Sequence, residues 1–370
     1  MFHRILRSLY KEQQRRANRL YSLWFTSNGN GVQKAITNAE KLVGYPTSYS
    51  SLKYLAEEEP ANFLGLAKKL VGSGHPLLST ARDLLSQDPH IGHHLGGLWV
   101  LLLSKAAGSG DNLDVLQSEL VNGIHQKQRA IADTTELINT AFLVHRSMVD
   151  IVQSQSNQTL NLGNKLSVLG GDFLLAKASL ELGKLENTKV VEMVSQAIGH
   201  LSEGATIERT HSSFDDLKSW EDFIFLLRGS LLAHSCRSAV QVVGHPENVC
   251  EDAYNFGMNL ALAQRCVEDI EVYQNNKKIL TNSNFVLMLA RNTSKEINEN
   301  CKAIDHQEPD INSTKTLKNT IEQDMPDIVN KTRLHYEEHY LSRCRSSIEY
   351  FPNANSVQAI NDILSTLSQE

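Results

Sequence analysis

With 370 residues, 41% of them apolar and 21% charged, the chain can bury a large core and is not disordered in bulk. A formal net charge of −6 gives no general attraction to phosphate backbones, which excludes nucleic acid as a default partner. The five cysteines (Cys236, Cys250, Cys266, Cys301, Cys344) are scattered without a C-x-x-C pair, so neither a disulfide framework nor a cysteine zinc site is indicated, and a reducing compartment fits best.

Residues 1–24 hold six basic side chains (Arg4, Arg7, Lys11, Arg15, Arg16, Arg19) and the single acid Glu12. Arg4, Arg7, Lys11 and Arg15 recur at helical steps, with Phe2, Ile5, Leu6 and Leu9 as apolar surface nearby. A basic, acid-poor, amphipathic start has the character of a mitochondrial presequence over residues 1–30, although a solvated first helix accounts for it equally well. The run "LWVLLL" at 98–103 is apolar but too short for a membrane span, and no transmembrane segment is expected. Between Pro89 and Pro246 there is no proline. In that interval Leu137, Ala141, Val144, Met148 and Ile151 keep helical spacing, as do Val190, Val191, Val194, Ile198 and Leu201. Strand-like alternation is scarce, and the spacing predicts a single all-α domain over residues 31–370, with several helices buried on more than one side. The stretch 274–318 is the most polar and is expected to be a mobile insertion.

Short motifs give little chemistry. "HYEEHY" places His335 and His339 one turn apart with Glu338 between them, the H-x-x-E-H arrangement of some zinc peptidases. No third ligand is identifiable, and a charged, solvated helix face explains the pattern as well. His90, His93 and His94 follow Pro89 beside glycines, where a solvated loop or helix start is the simpler reading than a metal cluster. The sequons at Asn157, Asn292, Asn312 and Asn330 matter only in a secreted protein. Neither a phosphate-binding Gly-rich loop with Lys-Ser/Thr nor a G-x-S-x-G elbow is present.

Three longer stretches are more specific. "TELINTAFLVHRSMVDIV" is followed by "LGNKLSVLGGDFLLAKASLELGKLENTKVVEMVSQAIGHLSEGA", and later by "GMNLALAQRCVEDIEVY". Together with "LLLSKAAG" at 101–108, they resemble the trans-isoprenyl diphosphate synthases, the polyprenyl synthetase family, from about residue 75 to 275. The resemblance implies an isoprenoid-synthase-type helical bundle around a central cavity. In active members two D-D-x-x-D motifs face each other and hold Mg²⁺ ions on an allylic diphosphate, whose departure the metals assist.

The chain departs from that pattern at the reactive groups. The first motif is "RSMVD", with Arg146 and Ser147 at aspartate positions and Asp150 retained. The second is "EDIEV", keeping Glu268 and Asp269 but ending on Val272, so the six aspartate positions of the two motifs carry −2 where six carboxylates would carry −6. A unit charge 4 Å from another is worth about 4 kcal/mol at an effective dielectric of 20, and Arg146 facing a divalent ion costs roughly twice that. The family's Gly-Lys-Arg-x-Arg-Pro stretch falls on "HHLGGL", leaving His94, Leu95 and Gly97 near cation positions; the resemblance leaves Arg228, near the family's Lys-Thr position, as a candidate residual diphosphate contact, and one cation does not make a diphosphate site. A kept scaffold without its metal ligands resembles the second subunits of heteromeric decaprenyl-type synthases, which supply the ubiquinone side chain in mitochondria. The resemblance therefore implies no catalytic residues and no metal on this chain. It implies a heterodimer or heterotetramer with a catalytic polyprenyl diphosphate synthase subunit that carries the Mg²⁺, in the mitochondrial matrix. The alternatives are a weakly active prenyltransferase using Asp150, Glu268 and Asp269, or a binding module outside prenyl metabolism.

Overall fold

The computed structural model describes residues 29–44, 75–77, 80, 95–110, 120–149, 158–210, 214, 216–275, 280–293 and 311–369. The basic segment at 1–28, Asp150, and His90, His93 and His94 lie outside these residues. What is described is almost wholly helical, as the apolar periodicity predicts. Helix α1 (Gly29–Val43) is followed by α2 (Gly96–Ala107), a two-stranded hairpin (β1, Leu120–Val121; β2, Ile124–His125), α3 (Gln126–Arg146), α4 (Gln158–Lys184) and α5 (Thr188–Thr210). Then come α6 (Leu217–Ile224), a π-helical turn (Phe225–Gly229), α7 (Ser230–Gln241) and α8 (Glu247–Gln274). The remaining elements are α9 (Phe285–Thr293), α10 (Ile311–Asp324), α11 (Ile328–Tyr336), a second π turn (Glu337–Leu341), α12 (Ser342–Ile348) and α13 (Ala354–Gln369).

The apolar run in α2 is the centre of the molecule. Leu98 through Leu103 are each at most 1% exposed, so this helix is apolar on every side because it has neighbours on every side. It packs against α1, α3, α7 and α13, and Trp99 meets Phe256 of α8 with ring centroids 6.0 Å apart. The open carbonyls at the C-terminus of α1 are closed by cations from elsewhere. Lys105 Nζ donates to Leu42 O at 2.5 Å, and Arg129 Nη2 donates to Val43 O at 2.7 Å.

The hairpin is a local exception to the helical reading, and it has a sequence cause. Asn122 and Gly123 both have positive φ (53° and 77°), the two-residue turn that Asn-Gly favours, and it pairs Val121 with Ile124. It leads directly into α3, where the His125 side chain accepts from Lys127 N at 3.1 Å and Gln128 Oε1 accepts from His125 N at 3.0 Å.

The stretch 274–318 is not uniformly polar. At its centre α9 buries Phe285, Val286, Leu287 and Met288, which belong to the core with Leu280 and Ala290, while 276–279 and 294–310 lie outside the described residues. Polar runs on both sides hide this short apolar segment when composition is averaged over the whole stretch. No described helix is long and apolar enough to cross a membrane.

Candidate functional site: a cleft with paired charges

Helices α3, α5, α7 and α8, with the first π turn, surround a small cavity. Its walls include Phe142, Leu143, Leu201, Leu227, Leu231 and Ala261, and its charged lining is Arg146, Arg228 and Glu268. The cavity measures about 90 Å³, well below the ~300–1,000 Å³ of a site for a drug-sized ligand.

Both degenerate motifs reach this region: Arg146 and Glu268 line it, while Ser147 and Asp269 turn into the protein. Arg146 is in the last turn of α3, where a cation is favoured by the helix dipole. Its guanidinium lies 5.4 Å from the Phe142 ring centroid, and its Nη1 donates to Glu208 Oε2 of α5 at 2.5 Å. Glu208 is brought in by a close helix approach: a Cβ on Gly204, one turn earlier, would stand 2.6 Å from Leu227 N. Ser147 faces away into the protein, donating to Val144 O at 2.6 Å and lying 2.9 Å from Ser167 Oγ.

In the second motif two adjacent residues have different roles. Glu268 lines the cleft and accepts from Arg228 Nη1 at 2.5 Å, so its charge is matched by the retained arginine. Arg228 lies in the π turn, an irregularity often found where a side chain must be re-aimed. Asp269 is 3% exposed and points the other way. Its Oδ1 accepts from Arg265 Nε at 2.9 Å and its Oδ2 from the Phe285 N–H at 2.8 Å, so it anchors the start of α9. Burial raises the Asp269 pKa above the usual carboxylate range, opposed by Arg265 and the Phe285 amide. Arg265 also donates to Ser283 Oγ at 3.1 Å, and Trp220 Nε1 donates to Ser283 O at 2.9 Å, closing a buried network. Val272 is partly buried and packs against the core.

Magnesium needs several oxygen ligands around one point. Of the motif carboxylates described, Glu268 is paired with Arg228 and Asp269 is spent inside the protein, while Arg146 brings a positive charge to the same cleft. These residues do not fit the ion. Among the described residues no group of three or more His, Cys, Asp or Glu side chains stands ready to hold a metal. That statement includes His335 and His339, whose rings are 4.5 Å apart. His335 is half-buried against Phe285 at 5.3 Å and Tyr340 at 5.6 Å, so it packs against aromatic rings where a solvated helix face was expected. Burial, then His339, lowers its pKa.

In the first turn of α2, Gly97 stands near an expected cation position and serves a different purpose. Its N–H donates to Glu136 Oε1 at 2.6 Å, and a Cβ there would come within 2.9 Å of Glu136 Cγ. Burial raises the Glu136 pKa to about 8. Leu95 is the N-cap residue of α2. Sequence reasoning missed three charges: Glu208, Arg265 and Glu136. Arg265 had a signal, standing four residues before Asp269 on one helix face. Glu208 and Glu136 had none beyond helical spacing, since their partners are distant in sequence.

The family model described as polyprenyl synthetase matches residues 90–283. The human protein named all trans-polyprenyl-diphosphate synthase PDSS2 is 40% identical over 255 residues, covering 66% of this chain and 64% of that protein. A Neurospora crassa protein named probable hexaprenyl pyrophosphate synthase, mitochondrial, is 31% identical over 298 residues, covering 68% of this chain and 65% of that one. The chain thus spans less than two thirds of the length of these curated relatives. Among solved structures, a polyprenyl synthase from Caulobacter crescentus superposes with a TM-score of 0.63 at 18% identity, covering 93% of this chain and 99% of that one. That structure is a complex with calcium and isoprenyl diphosphate. A decaprenyl diphosphate synthase from Rhodobacter capsulatus gives 0.59 at 18% identity over 87% of this chain and 99% of that one. The helical architecture is therefore that of the isoprenyl diphosphate synthases, and with its family model spanning the cleft-forming helices, the chain belongs to the polyprenyl synthetase family.

Proposed function

We propose that this chain is a non-catalytic subunit of a heteromeric trans-polyprenyl diphosphate synthase, of the decaprenyl type, and that it binds no magnesium itself. The observation that carries this reading is the pairing of charges in the cleft: Arg146 with Glu208 and Arg228 with Glu268, with Asp269 turned inward to Arg265. An allylic diphosphate ionises only where developing negative charge is met by fixed positive charge, which metals supply in active members. Here the described motif carboxylates, Glu268 and Asp269, are already matched or withdrawn.

A partner surface supports the heteromeric part. Val168, Leu169 and Leu180 of α4 are 39%, 65% and 54% exposed, and Leu169, Phe173, Ala176 and Leu180 follow a helical stripe. An apolar stripe of this kind fits the matching face of a catalytic subunit bearing intact aspartate motifs and its Mg²⁺. The mitochondrial names of several relatives, with the basic first segment, support a mitochondrial location, the matrix in particular. Polyprenyl diphosphate synthesis measured with each chain alone and with both together tests the assignment. The expected result is synthesis by the pair and none by this chain; robust synthesis by this chain alone would falsify it.

A further inference from the structure

We propose that four aromatic side chains between α5, the first π turn, α7 and α8 form a cage for an organic ammonium ion, a protonated alkylamine held by the rings and by one histidine nitrogen. The cage is separate from the cleft, whose lining includes none of the four rings.

His200 comes from α5, Phe225 from the π turn, His234 from α7 and Tyr254 from α8. Neighbouring ring centroids are 5.7 Å apart for Phe225–His200, 6.4 Å for His200–His234, 5.3 Å for His234–Tyr254 and 6.4 Å for Tyr254–Phe225. The contacts run round this circuit and none crosses it. An ion at its middle would stand about 4 Å from each centroid, within the ~6 Å reach of a cation–π contact. All four side chains are partly exposed, so a solute can reach them.

The hydrogen bonding and the surrounding charge select the ligand. His200 Nδ1 lies 2.7 Å from Ser230 Oγ, whereas His234 Nδ1 is shut off from bulk water and has no hydrogen-bond partner. Burial, then His200 and Arg237, lowers the His234 pKa to about 4, so at neutral pH its imidazole is uncharged. With its hydrogen on Nε2, that ring presents Nδ1 as an acceptor for an ammonium N–H. Within one helical turn of the four rings along the chain stand Glu203, Glu221, Asp222, Arg228, Arg237 and Glu251. Asp222 is matched by Lys218, Arg228 by Glu268, and Arg237 by Glu247 and Glu251, which leaves acids three in excess of bases. Such surroundings attract a cation and repel an anion. A bare metal ion is served less well, because two imidazoles without a carboxylate or thiolate among them are too few ligands. An alkylammonium uses the aromatic surface for its charge and its carbons, and Nδ1 for one N–H. That ammonium can belong to a free amine or to a lysine side chain of another protein.

Proton NMR of the full chain titrated with n-butylammonium, at ionic strength held constant with sodium chloride, tests this. The expected result is saturable movement of the His200 and His234 ring signals, with sodium alone causing none. Phe225→Leu and Tyr254→Leu keep an apolar side chain but remove a ring, and each should weaken binding about fivefold. His234→Phe keeps the ring and removes Nδ1. It should weaken n-butylammonium binding and leave tetramethylammonium, which has no N–H, unaffected. Nα-acetyl-lysine amide binding more tightly than n-butylammonium assigns the cage to a lysine side chain, and equal or weaker binding assigns it to a free amine; both support the cage. Three results overturn it: unmoved ring signals in the wild-type chain, an affinity that no ring variant changes, or saturable binding of zinc with none of the amine, which makes the two histidines a metal site. The first of these needs no variant, so a substituted chain that folds poorly does not shield the proposal.

Discussion

Glu136 shows how one buried side chain couples folding to pH. It is fully buried, 3% exposed, and accepts the N–H of Gly97 near the start of α2. With its pKa raised from 4.5 to about 8, the folded protein holds a proton there that the unfolded chain has already lost at neutral pH. The stability from this protonated carboxyl is fully present below pH 4.5 and is lost as pH rises through about 8. The whole effect is on the order of 4 kcal/mol. Glu136→Gln preserves the acceptor for Gly97 and removes the titration. Urea unfolding from pH 6 to pH 9 should show the wild type losing stability where the variant stays nearly flat; parallel profiles would mean the carboxyl does not titrate in that range. None of this was legible in "TELINTA", because burial and the Gly97 contact come from a helix 39 residues earlier. The substitution at Arg146 was legible, and so was its electrostatic sense. Its counter-ion was not, because Glu208 lies 62 residues away and meets it only through the close approach at Gly204.

At the level of elements, Asp269 joins α8 to α9. Arg265 and Asp269 are 8% and 5% exposed in their side chains, so removing one leaves the other charged, buried and unpaired. Breaking such a pair costs about 3–5 kcal/mol. Asp269→Ala should therefore lower the unfolding midpoint sharply and release α9, seen as faster hydrogen exchange at Phe285–Thr293. A loss below 1 kcal/mol would show that the network is solvated. The pair Arg228–Glu268, more exposed at 29% and 22%, should matter much less to folding. Two neighbouring residues of one motif thus separate into a structural tie and a cleft lining, a distinction that spacing on a helix cannot make. Sequence periodicity did reveal α3 and α5, since an apolar stripe repeats whenever a helix packs on one side, while α8 was legible through the family resemblance. It passed over α9, whose apolar residues sit between polar runs, and the hairpin, whose Asn122-Gly123 turn was a readable sign left unused.

For the whole molecule, the scaffold and the chemistry have parted. Burial of α2 and the packing around it need only apolar side chains of suitable size, and these are retained. Metal-assisted ionisation needs several carboxylates at one point, and of the second motif Glu268 is paired with Arg228 while Asp269 is turned inward to Arg265. On the proposed reading, this chain contributes its surface and its rigidity, while bond making belongs to the partner. The most direct measurement is the rate of polyprenyl diphosphate synthesis by the two-subunit complex carrying Glu268→Gln in this chain. Since Glu268 is the described motif carboxylate that faces the cleft, the account predicts an unchanged rate. A fall of about tenfold or more, the scale of a lost transition-state interaction, would contradict it and return chemistry to this chain.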